Sequence, residues 1–251
     1  MTALIERARE NHEQLFPNHV STLAVTDPEL VELFDSWSFG EVPDDADLDP
    51  RTRVMVQLAA LIASHAVAEY RVMLGGALNV GVTPVEAKEI VYQAVAYVGM
   101  GRVFDFLHVT NDVLRSRGVS LPLPRQSTTD PGTRFEKGLA VQRRLLGDRI
   151  DRMHAESPED QRHIQRYLSA NCFGDYLTRT GLDLRTRELL TFSMIASLGG
   201  CEPQLAAHVA ANLAAGNERK RLLGAVTALL PFIGYPRSLN AIRVISEGTS
   251  A

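Results

Sequence analysis

Apolar positions along this chain keep helical spacing almost from end to end. Val85, Ala87, Ile90, Val91, Ala94, Val95 and Val98 fall three and four residues apart, on one face of a helix. Thr83, Pro84 and Glu86 stand ahead of them as an N-cap, a first-turn proline and an acid at N3, which predicts where that helix starts. The same pattern returns where Asn217 precedes Leu222, Ala225, Val226, Leu229, Leu230 and Ile233, with Pro231 expected to kink or end the helix. Gly99 and Gly234 are expected to close the two helices, and a further helix should follow each, at about 103–114 and 238–246. Asp27-Pro28-Glu29 and Ser157-Pro158-Glu159-Asp160 read as helix starts in the lead-ins. No sustained apolar and polar alternation predicts a sheet, so the chain reads as all-α.

The repetition extends to single residues. Leu48-Asp49-Pro50-Arg51-Thr52-Arg53 returns as Leu182-Asp183-Leu184-Arg185-Thr186-Arg187, a shift of 134, and Phe39-Gly40-Glu41 returns at the same shift as Phe173-Gly174-Asp175. Gly81, Gly99, Arg102 and Val109 return as Gly216, Gly234, Arg237 and Val244, shifted by 135. One register held this far, with a single-residue slip, indicates a duplicated unit. The expected division is a first repeat with its helical lead-in at 1–118, a linker at 119–132 and a second repeat at 133–251. Pro122, Pro124, Pro131 and the polar run Gln126-Ser127-Thr128-Thr129-Asp130 mark the linker.

Composition narrows the function classes. With 45% hydrophobic and 22% charged residues among 251, the chain can build a core. A net charge of -4 offers no basic field for nucleic acid. No apolar run approaches the ~18 residues of a membrane span, and the first residues turn charged too early for a signal peptide. Two cysteines, Cys172 and Cys201, make no disulfide framework. A cytoplasmic protein without nucleic-acid or membrane partners is expected.

Chemistry concentrates in the second repeat. A helix starting near Arg185 carries Glu188 and runs apolar to Leu198, and Gly199-Gly200 breaks it. A second helix is expected from about Cys201, with Pro203 in its first turn and Cys201, Gln204 and His208 on one face. If the two helices fold back on each other, the Glu188 carboxylate approaches the His208 imidazole, and with the thiol they form a proton relay. The first repeat has Val54 in place of Glu188, Val67 in place of Cys201, and Met73 or Leu74 in place of His208. A structural role should survive in both copies, whereas a catalytic set can be dropped from one. By the same logic Arg185 and Arg187, repeated as Arg51 and Arg53, read as capping or ion-pairing residues as readily as substrate ligands.

The order Arg-Thr-Arg-Glu, apolar helix, Gly-Gly-Cys, His and Gly-Asn resembles the carboxymuconolactone decarboxylase family of the AhpD-like superfamily, as does the closing stretch Leu230-Pro231-Phe232-Ile233-Gly234-Tyr235-Pro236-Arg237-Ser238-Leu239-Asn240-Ala241. The resemblance covers both repeats. It implies two tandem AhpD-like helical repeats forming a pseudo-symmetric unit, and a homo-oligomer, a trimer with pseudo-hexameric packing. The superfamily's disulfide-based peroxidases carry Glu–x11–Cys–x2–Cys–x3–His, whereas this chain reads Glu188–x12–Cys201–x2–Gln204–x3–His208 and lacks the resolving thiol. The resemblance therefore favours a cofactor-free, metal-free acid–base decarboxylation of a small carboxylated, lactone-like substrate. His208, tuned by Glu188 and accompanied by Cys201, would be the acid, and Arg185, Arg187, Gln204 or Arg237 would bind substrate. Rival readings are an isomerase, cyclase or dehydratase using the same set, a thiol-dependent redox protein using Cys201, and a non-catalytic oligomer.

Other patterns are weaker. Asp45, Asp47 and Asp49 imitate the start of a calcium loop, but Val56 stands where the closing acid belongs. His65 and Glu69 read as a helix-surface pair, His108 as a packed histidine, and Gly75-Gly76 and Gly99-x-Gly101 follow no strand.

Overall fold

The repeated Asp-x-Arg-Thr-Arg starts a helix in the same way twice. Asp49 accepts a hydrogen bond from the Thr52 backbone N–H at 2.9 Å, and Asp183 accepts one from Thr186 at 2.7 Å. The computed structural model describes residues 3–249, and among them every regular element is helical. The first repeat opens with α1 (Ala3–Leu15), α2 (Leu23–Thr26), α3 (Pro28–Asp35), a π-helical segment (Ser36–Glu41) and α4 (Val42–Ala46). It continues with α5 (Pro50–Ala63), α6 (Val67–Asn79), α7 (Pro84–Val98) and α8 (Met100–Ser116). Beyond a non-helical strap lie α9 (Arg134–Leu146), α10 (Arg149–Glu156), a 3₁₀ turn (Glu159–Gln161), α11 (Arg162–Tyr167) and a second π-helical segment (Leu168–Leu177). Then come α12 (Leu184–Leu198), α13 (Glu202–Ala214) and α14 (Arg219–Gly248).

The caps act much as their residues predict. Thr83 and Glu86 form a full capping box on α7, and Gly99 (φ 80°) ends it. Pro231 does not end α14. The break falls at Gly234, whose φ of 74° only glycine adopts without strain, so α14 is two helices meeting at a kink. By length and composition α14 would suit a membrane span, yet neither side of the kink reaches the ~20 residues needed. Ser157 closes α10 instead of starting a helix, and α11 begins only after the 3₁₀ turn.

The one-residue slip has a definite place. α5 is left through Ser64 and His65, the latter at φ 58°, whereas the longer α12 is left through Gly199 and Gly200, at φ 69° and 70°. α6 then starts after Ala66 and α13 after Cys201. Ala66, not Val67, therefore occupies the place of Cys201, and Met73 that of His208.

α5 and α12 pack together at the centre, and one continuous hydrophobic cluster draws residues from both repeats. Polar side chains fix the register inside it. Arg187 is fully buried; its Nη2 donates to Glu89 Oε2 of α7 at 2.8 Å and to the carbonyls of Arg179 and Thr180, and its Nη1 donates to Gln93. Arg179 holds the same Glu89 through paired hydrogen bonds. Gln93 returns bonds to the Arg187 carbonyl and to Thr191, and Gln57 of α5 reaches the Ala228 carbonyl in the opposite sense. The second lead-in docks through glycine: a Cβ on Gly138 would stand 2.0 Å from the Ser169 carbonyl oxygen, so α9 lies directly on the π-helical segment.

Replacing Arg187 with Met leaves Glu89 buried beside Arg179 alone. A loss of about 3–5 kcal/mol in urea unfolding is expected; a loss under about 1 kcal/mol would show that the pair does not hold the repeats in register.

Candidate active site

The sequence of α12 sets Glu188 directly after the Arg187 anchor, in a side chain that solvent does not reach. The double-glycine turn sends α13 back along α12, and two turns into α13 His208 meets it. His208 Nδ1 donates to Glu188 Oε2 at 2.8 Å, and the imidazole keeps 14% of its surface exposed. Glu188 Oε1 is buried and takes no hydrogen bond from any described group. One turn beyond His208, Asn212 donates to the carbonyls of Glu188 and His208, and Asn217 donates to Asn212 Oδ1. This ladder locks α13 onto α12 and sets the ring orientation.

The imidazole faces a cavity of about 510 Å³. Cys201, Gln204 and His208 of α13 line one side with Ile195 and Leu198 of α12. The second lead-in covers it with Leu146, Arg149, Ile150, Met153 and Leu168. Tyr97, from the end of α7 in the first repeat, completes the wall and meets the His208 ring edge-on, centroids 5.8 Å apart. Burial pushes the Tyr97 hydroxyl well above its ordinary pKa, so it stays protonated. Cys172 also lines the cavity, its thiol donating to the Tyr97 oxygen at 3.7 Å, and burial pushes that thiol up to about 12. Arg149 is the one permanently charged side chain on the wall; it is exposed and makes no hydrogen bond to any described residue.

Cys201, Gln204 and His208 thus line one cavity with Glu188 behind His208, while three predicted substrate ligands do not line it. Arg187 is sealed in the core with its Nη donors committed to protein acceptors. Arg185 is turned to Asn217, to which it donates at 3.0 Å, as Arg51 is turned to the Gly81 carbonyl. Arg237 packs beside Gly199, where it lines an adjoining crevice of about 10 Å³ that shares Ile195 and Cys201 with the cavity. Arg187 thus joins the two repeats, and Arg185 ties the start of α12 to Asn217.

Sequence reasoning missed Tyr97, Cys172 and Arg149. The comparison that found Glu188 and His208 could have found the first two, because Phe232 stands at the Tyr97 position and Ser38 at the Cys172 position. Arg149 lies in a lead-in where the repeat register is lost, so nothing marked it. The first repeat's counterpart of the site is packed shut: Val54 and Met73 are buried, and the rings of Phe16, Phe34, Phe39 and Phe232 meet edge-on there. Among the described residues no cluster of histidine, cysteine and carboxylate side chains could hold a metal ion. Asp47 pairs with Lys220, Asp49 caps α5, His65 lies against Phe106 and His108 against Phe104.

The two cavity thiols should be distinguishable. Cys201 is partly exposed and Cys172 is buried with a thiol that stays protonated at pH 8. Iodoacetamide at pH 8 is expected to label the native protein once, at Cys201, with peptide mapping as the readout; modification of Cys172 at a similar rate would contradict the described burial.

Comparison with known proteins follows the same two blocks of sequence. The profile of the carboxymuconolactone decarboxylase family matches residues 28–112 and again residues 162–247, together more than half of the chain. A 4-carboxymuconolactone decarboxylase of Acinetobacter baylyi is 27% identical over 115 residues, covering 45% of this chain and 85% of that protein. A nitrosuccinic acid decarboxylase of Metarhizium robertsii is 31% identical over 83 residues, covering 33% of this chain and 58% of that protein.

Proposed function

The chain belongs to the carboxymuconolactone decarboxylase family, and from that premise we propose that it is a lyase releasing CO2 from a small carboxylated substrate by acid–base chemistry at the second repeat. The observation that carries this reading is the 2.8 Å hydrogen bond to the buried Glu188 from His208, which lines an open cavity. With Nδ1 committed to Glu188, the other ring nitrogen, Nε2, is left for the substrate.

When the carbon–carbon bond breaks, its electron pair passes into the conjugated substrate as an enolate and CO2 departs neutral. The protonated ring then donates its Nε2 proton to the carbon that lost CO2, leaving the neutral tautomer with its Glu188 hydrogen bond intact. A water proton restores the ring. Each step uses the chain's own groups and calls for no cofactor.

The rest of the cavity divides the labour. Leu146, Ile150, Met153, Leu168, Ile195 and Leu198 form apolar wall, where a carboxylate is poorly solvated and neutral CO2 is not. Arg149, unpaired among the described residues, supplies the cation for a substrate carboxylate, the role that Arg185, Arg187 and Arg237, which do not line the cavity, do not fill. Disulfide exchange between Cys172 and Cys201 loses support even though they share the cavity, because Cys172 is held as a thiol, not the thiolate that exchange requires; a redox role of Cys201 alone stays the rival reading. A cytoplasmic homo-oligomer, trimeric by the resemblance, remains part of the proposal.

CO2 release from 4-carboxymuconolactone and from nitrosuccinic acid, the acids named for the relatives, tests the reading. His208→Gln is expected to lower kcat about 10²–10⁴-fold, and Cys201→Ser much less. Turnover by His208→Gln at the wild-type rate would sink the acid–base assignment. Arg149→Gln is expected to lower kcat/KM about 10–100-fold, chiefly through KM. An unchanged KM would remove Arg149 from the binding set while leaving the relay standing.

A further inference from the structure

We infer that the cleft where the inter-repeat strap crosses the first repeat binds a small multiply charged oxyanion, a phosphate group in particular, through Lys88 of α7, Arg115 of α8 and Arg125 of the strap. The cleft measures about 800 Å³ and shares no lining residue with the catalytic cavity.

Lys88 carries the argument. It is only 9% exposed, it donates to the neutral Asn111 Oδ1 at 2.6 Å, and it lies over the Tyr92 ring. Among the described residues no carboxylate stands within ion-pair distance of it. Burial, and then the charge of Arg115, press its pKa down. A buried ammonium without a counterion is costly, and a bound anion removes that cost.

The neighbouring charges do not supply the counterion. Arg115 has one acidic neighbour, Asp112, 3.8 Å away on the open surface, and Arg125 is exposed without a hydrogen bond to any described group. The two carboxylates on the wall are already taken: Glu89 by Arg179 and Arg187, Asp175 by Arg134 and Asn171. Positive charge is therefore left over, from three separate segments facing one space.

The internal comparison points the same way. The shift of 135 places Leu223 opposite Lys88 and Thr227 opposite Tyr92, so the scaffold does not require a lysine here. A single carboxylate would leave two of the three cations unbalanced, whereas a phosphate dianion offers two charges and several acceptor oxygens. The remaining volume leaves room for an organic body on the phosphate. Because the strap is itself tied to the second repeat through Thr128 to Thr178 and Thr180 to Gln126, an anion here would bridge both repeats.

Inorganic phosphate and glucose 6-phosphate are titrated into the full chain, with sodium chloride at matched ionic strength as control, following Tm and the ³¹P line width. A saturable rise in Tm beyond the salt control is expected, with Lys88→Met and Arg125→Ala each weakening the apparent affinity about tenfold or more. Lys88→Met should also melt no lower than wild type in phosphate-free buffer, since it removes an unpaired buried charge and keeps the apolar stem. Tighter binding of the ester assigns the site to a phosphorylated small molecule, and equal binding assigns it to the free ion; both support the site. A rise no larger than the chloride control, or one unchanged in both variants, overturns it.

Discussion

A guanidinium stripped of all its water needs a fixed set of acceptors around it, and in this protein the set comes from both repeats. Arg187 is served by Glu89 and Gln93 of α7 together with the carbonyls that precede α12. Isolated, such a charge would cost several kcal/mol to bury, so the bonds to its Nη donors favour this alignment of α7 against α12. That alignment places the next residue, Glu188, against His208 and brings Tyr97, at the far end of α7, edge-on to the same ring. The buried ion pair is thus a positioning device for groups it never touches.

Much of the fold was legible because its signals are local. Thr83, Pro84 and Glu86 announce α7 through backbone groups within one turn, and Asp49 and Asp183 do so for α5 and α12. Gly234 was expected to close its helix and does, through its positive φ, whereas Pro231 stays inside the helix three residues earlier. The slip was placed one residue late, at Val67, because its cause is backbone geometry: an extra residue leaves α12 through two left-handed glycines.

The site was half legible for a related reason. Glu188 and His208 lie on helices joined by one short turn, so their approach was expected if the helices folded back on each other, and they meet at 2.8 Å. Tyr97, Cys172 and Arg149 arrive from other elements, and only tertiary packing selects them. The repeated arginines illustrate the limit from the other side. Residue type made both plausible carboxylate ligands, whereas Arg187 is buried with its Nη donors committed and Arg185 donates to Asn217.

The edge-on contact between Tyr97 and His208 has a consequence for why the repeats are joined at all. Two identical subunits related by a twofold axis must carry every substitution twice, so a residue serving its neighbour's site also alters the matching position in its own. A single chain is free of that constraint. Here one position holds a tyrosine that walls an open cavity while its counterpart, Phe232, packs edge-on against Phe34. Covalent fusion thereby turns a repeated scaffold into one whose halves can differ independently, one keeping a cavity and the other filling with rings.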